Sequence, residues 1–174
     1  MREKHRTAAN RIRPPRCFNE ARLRCAIVLA ALWLVGCRTS NPLPSANLSE
    51  PGWRISHGQA VWRRSERSPE IAAELLIATN EGNQTVVEFT KTPLPILVAQ
   101  TSSNGWRIEL ISENKDYSGR GQPPSSLLWF HLVPCIRGEA PPKGVSFKRL
   151  NESRWRLENT RSGELIEGYT LLPP

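Results

Sequence analysis

Three histidines, four cysteines and sixteen acidic side chains are the groups in this 174-residue chain that could carry acid–base, nucleophilic or metal chemistry. Their spacing argues against most of it. His5, His57 and His131 stand apart from one another, and no His-Glu-x-x-His, Gly-x-Ser-x-Gly or phosphate-loop motif occurs. Cys17, Cys25, Cys37 and Cys135 form no Cys-x-x-Cys pair. A zinc site wants about four ligands at suitable spacing, so no metal is expected. Glu74, Glu88, Glu109, Glu158 and Glu167 each follow an apolar residue, the outward position on a half-buried strand. A paired acid–base role for them would need a fold to bring two together. "YSGRG" (117–121) lacks a strand–loop–helix setting and reads as a tight loop, and His131 and Cys135 read as structural. The chain is therefore not expected to be an enzyme.

What stands out instead is apolar: Trp62, Phe89, Trp106, Leu110, Trp129, Phe147 and Trp155. These residues fit the packed core of a β-domain. They also fit the lining of a groove in an open, curved sheet, where burial and not charge would hold an acyl chain.

The formal charge of +8 first suggests a nucleic-acid partner, but it is unevenly placed. Residues 1–36 hold eight Lys and Arg against two acids, and residues 37–174 hold sixteen against fourteen. The later charges are interspersed as on a solvated face, so nucleic acid is not an expected partner.

The basic start leads into an apolar block, Cys25–Val35, which ends at Gly36-Cys37. As a helix, eleven residues would span about 17 Å, short of the ~30 Å hydrocarbon core. A basic flank before a short apolar block is the layout of a secretory signal. Its last four residues, Leu34-Val35-Gly36-Cys37, resemble the lipobox of bacterial lipoproteins. The resemblance implies diacylglycerol on the Cys37 thiol, cleavage before Cys37, and acylation, commonly with palmitate, of the new amino group. No other cofactor is expected. Residues 1–36 would be the signal peptide. Arg38, and not Asp, follows the cysteine, which by the sorting rule of enteric bacteria implies the periplasmic face of the outer membrane.

Residues 37–52 are rich in Ser, Asn and Pro, have no periodicity and read as a flexible tether. From Trp53 the pattern is that of short strands. "AAELLIATNEGNQTVVEFTK" reads as a hairpin in which Gly82 supplies the positive φ of the turn. "PILVAQT" and "NGWRIELIS" follow, separated by a turn at "SSNG". "PPSSLLWFHLVPCIRG" breaks the alternation. Ser125 or Ser126 is positioned to cap one short helix of about two turns, and Pro134 to end or kink it. "GVSFKRL", "SRWRLENT" and "ELIEGYTLL" resume the strands. The expected fold is mainly β: an antiparallel meander of about eight strands with one short helix, forming an incomplete, half-open barrel over residues 53–172.

Three stretches resemble the Lol-type lipoprotein localisation proteins (LolA/LolB-like), especially the outer-membrane lipoprotein receptor. "GQAVWR" resembles their opening strand. "FTKTPLPILVAQTSSNGWRIELISENKDYSG" is similar to their strand, Pro-Leu loop, strand, turn, strand and tyrosine. "PPSSLLWFHLVPCIRG" is similar to their late helix. The resemblance covers about 110 residues. It implies an open antiparallel barrel covered by helices over an acyl-binding cavity, with an exposed leucine, here Leu94, touching the membrane. The chain lacks the family's long first helix and has no room for its middle helix, which implies a smaller lid. Two functions are expected from these observations: a lipid-anchored module that binds an apolar or acylated ligand, including other lipoproteins, or a structural lipoprotein that binds a protein partner of the envelope.

Overall fold

The structure is a computed structural model that describes residues 43–171. The expected signal peptide, residues 1–36, and Cys37 and Arg38 lie outside the described residues.

Alternation of apolar and polar side chains produces nine strands. They are β1 (Arg54–Arg63), β2 (Ile71–Thr79), β3 (Thr85–Lys91), β4 (Leu94–Thr101), β5 (Gly105–Leu110), β6 (Lys115–Arg120), β7 (Val145–Arg149), β8 (Arg154–Asn159) and β9 (Leu165–Leu171). One helix, α1 (Trp129–Ile136), separates β6 from β7. The strands form one sheet in the order β6-β5-β4-β3-β2-β1-β9-β8-β7. Every pairing is antiparallel. The sheet is thus mainly β and open, with β6 and β7 as its two edges.

This order explains the helix. The chain leaves the sheet at one edge, β6, and re-enters at the other, β7, so the intervening segment must cross a whole face. Leu128, Trp129, Phe130, Leu132, Val133 and Cys135 are buried along that crossing. They meet the inner face, which carries Ala60 and Trp62 of β1, Leu75 and Ile77 of β2, and Val87 and Phe89 of β3. Leu97 and Ala99 of β4, Ile108 of β5, Trp155 and Leu157 of β8, and Ile166 of β9 complete that core. The register agrees with this parity, since Trp62 lies opposite Ile71 and Ile166, and Leu75 opposite Phe89.

Four local features differ from the sequence reading. "KDYSGR" is a ninth strand, not a loop. It has no apolar alternation because it is an edge, and its Gly119 is covered by Trp106: a Cβ built there would lie 2.7 Å from the indole. In the β2–β3 turn the left-handed residue is Asn83, φ 56°, and not Gly82; asparagine tolerates that region through local hydrogen bonding. Neither serine caps α1, whose N-cap is Leu128 with no side-chain cap. Pro134 lies inside α1, which continues to Ile136.

The described part of the expected tether is also ordered against the sheet. The Ala46 N–H donates to Gln100 Oε1 at 3.1 Å, and Gln100 Nε2 donates to the Pro44 carbonyl at 2.9 Å. The Arg107 guanidinium donates to Ser45 Oγ at 3.2 Å. Gln100 and Arg107 are opposite one another on β4 and β5, on the face away from α1. A buried carboxamide needs partners for both its ends, and Gln100, 6% exposed, finds them in this segment.

Candidate functional site: the aromatic interior and the Leu94 tip

The seven aromatic and aliphatic residues singled out in the sequence come together on the inner face. Trp62, Phe89, Trp129 and Trp155 are 4%, 0%, 2% and 3% exposed, and half-buried Trp106, Leu110 and Phe147 pack against the same core. Trp129 of α1 is wedged between two of them. Its ring centroid lies 5.5 Å from Trp62, edge-on, and 5.1 Å from Phe89. A second contact, Trp106 to Phe130 at 5.5 Å, fixes the helix over β5.

The groove admitted by the sequence is therefore filled by α1. Between α1 and strands β3 and β4 there remains a cavity of about 30 Å³ bordered by Val87, Ala99, Trp129 and Phe130. That is room for about two water molecules and too little for an acyl chain. Trp129, which the sequence admits either to a packed core or to a groove lining, lies in the packed interior against Trp62 and Phe89. The indole N–H groups of Trp129 and Trp155 and the Nε2 of His131 are buried without a protein partner. Burial lowers the His131 pKa, against a smaller opposing effect of the Pro124 carbonyl.

One end of the inner face is closed by charge. Arg64 stacks on the Trp62 ring, 4.6 Å from its centroid, and pairs with Glu113 in the 3-10 turn Ile111–Glu113. Lys115 pairs with the same carboxylate at 2.7 Å. β1 and β5 are four places apart in the sheet, about 19 Å if it were flat, so this contact requires the sheet to curl towards α1. On the other side the Trp62 indole N–H donates to Glu164 Oε1 at 2.9 Å. Sequence alternation did not reveal Arg64, Glu113 and Glu164 because they belong to strand ends and turns.

Burial raises the Glu164 pKa, opposed by the Trp62 hydrogen bond and by Arg64. An acid with a raised folded pKa binds protons more readily in the folded state, so its contribution to stability falls as pH rises through that value. Replacing Glu164 by Gln keeps an acceptor for Trp62 and removes the titration. Urea unfolding from pH 7 down to the ordinary glutamate range near 4.5 is expected to show wild type gaining stability relative to Glu164→Gln as pH falls. Parallel curves would mean that the carboxyl is not desolvated.

Leu94 is set apart from this interior. It opens β4 beside the turn after Lys91 and is 70% exposed, the most exposed large apolar side chain among the described residues. On the outer face, β2, β1 and β9 form a trough of about 530 Å³, floored by Val61 and Ala72 and flanked by Glu74, Lys91, Arg154 and Tyr169. Among the described residues there is no group of three or more His, Cys, Asp or Glu placed to hold a metal ion. Among them, too, no helix is long and apolar enough to cross a membrane. No family model matches the chain, and no curated protein matches it.

Proposed function

We propose that the protein is a non-enzymatic bacterial lipoprotein, anchored through acyl chains on Cys37 at the periplasmic face of the outer membrane, that binds an apolar or acylated ligand on its inner face. The observation that supports this reading is the open nine-stranded sheet whose apolar inner face is covered by a single two-turn helix. A helix of eight residues has no stability of its own in water, and its position rests on packing. Lifting α1 would expose a contiguous aromatic surface, and Leu94 offers an apolar contact at the tip of the β3–β4 hairpin. Participation in lipoprotein localisation is the specific role this suggests.

The test is quenching of tryptophan emission by a doxyl-labelled stearic acid, with native mass spectrometry of the purified protein. Saturable quenching, reversed by unlabelled fatty acid, is expected. Absence of both quenching and bound lipid would reject the ligand reading. A second reading, a structural lipoprotein that binds an envelope protein, is favoured by the filled interior and is the one such a result would leave.

A further inference from the structure

The contact made by residues 44–46 changes the length of chain that separates the domain from the anchoring cysteine. If the chain were free up to Trp53, sixteen residues would follow Cys37, with a reach of about 55 Å. With Pro44 and Ala46 held by Gln100, and Ser45 by Arg107, only six residues lie between Cys37 and the first fixed point, Pro44. Their greatest reach is about 25 Å.

That difference decides orientation. A compact unit of the size described by residues 43–171 has a radius of gyration of about 14 Å, hence a diameter of about 36 Å. A 55 Å link lets such a body roll so that any face meets the bilayer. A 25 Å link fixed to one face does not let the opposite face reach it. The fixed point lies on the outer face of β4 and β5, and α1 lies on the inner face. Leu94 precedes Gln100 by six residues on the same strand, about 20 Å along it. The exit point and the Leu94 tip can therefore rest on the same surface.

We propose that Gln100 and Arg107 staple the N-terminal segment to the sheet so that the outer face of β3–β5, with the Leu94 hairpin, faces the lipid bilayer and α1 faces away from it. This rests on the reading of Cys37 as the lipid anchor and adds to it a defined membrane-facing side. It also leaves α1 free to move without meeting lipid.

The test uses the full lipidated chain with Cys135→Ala, reconstituted in phosphatidylethanolamine–phosphatidylglycerol vesicles that carry a rhodamine headgroup acceptor. A donor dye is placed at Thr92→Cys beside the tip, or at Arg137→Cys at the end of α1; both positions are exposed. Energy transfer is expected to be several-fold stronger from position 92 than from position 137. A Gly–Ser insertion between Ser40 and Asn41 that restores about 55 Å of reach is expected to level the two. Gln100→Ala should shrink the difference without lengthening the chain; if it unfolds the domain, the insertion, which leaves the domain untouched, still decides. Equal transfer in the native-length protein, or a difference that survives the insertion, overturns the staple while the protein stays on the vesicles. Failure to stay on the vesicles at all instead refutes the anchor, and the oriented surface with it.

Discussion

Trp129→Ala is expected to destabilise the domain by about 3–5 kcal/mol, the cost of removing a large buried aromatic from a core. For a domain of this size that is a fall of roughly 10–20 °C in the unfolding midpoint. The effect is large because Trp129 does two things. It fills the space between Trp62 and Phe89, and together with Phe130 on Trp106 it holds a two-turn helix containing Pro134 on the sheet. Pro134 cannot donate to the helical ladder, so α1 depends on its side chains more than a regular helix would. Thermal and urea unfolding followed by circular dichroism measure the loss. The same variant should bind a hydrophobic dye and take up doxyl-stearate more readily, because the inner face is then uncovered. A loss below about 1 kcal/mol would show that α1 is held by something other than this wedge.

Cys37→Ser is expected to abolish labelling by palmitate and to move the protein from the membrane fraction to the soluble one. Acyl burial contributes about 0.8 kcal/mol per methylene, so two or three chains give stable attachment and none gives no attachment of that kind. Residues 37–174 carry sixteen basic side chains against fourteen acidic ones, so charge offers little attraction to an anionic bilayer. Palmitate labelling of growing cells followed by fractionation reads both effects. A serine variant that remained with the membrane would point to retention by another part of the chain, with exposed Leu94 the first place to look.

The strands were legible wherever one face is dry and the other wet. Trp106, Ile108 and Leu110 alternate with Arg107 and Glu109, and β5 is where that pattern placed it. Trp155 and Leu157 did the same for β8. β6 escaped because an edge strand that buries little needs no alternation, and its Gly119 borrows its cover from Trp106 across the pair. The seven interior residues were legible as a set, but not whether they enclose space. That depends on where α1 lands, which follows from β6 and β7 being opposite edges of the sheet as much as from the residues of the helix. Gln100 was the least legible of all. It stands out only as an amide at the end of an apolar run, and its partners Pro44 and Ala46 lie more than fifty positions away in a stretch with no pattern.

The pairing of β1 with β9 has a consequence for how the molecule is made. Ala60 finds Gly168 more than a hundred residues later, so the middle of the sheet is joined last. During folding, β1 through β6 can assemble as a meander of neighbours while the flank of β1 stays open. The domain closes only when its final strand arrives. Such long-range closure slows folding and leaves a sticky border exposed in the meantime. A chain cut short before Leu165 would keep that border permanently, which makes the last strand the point at which proteolysis or a premature stop would turn a folding intermediate into an aggregating one.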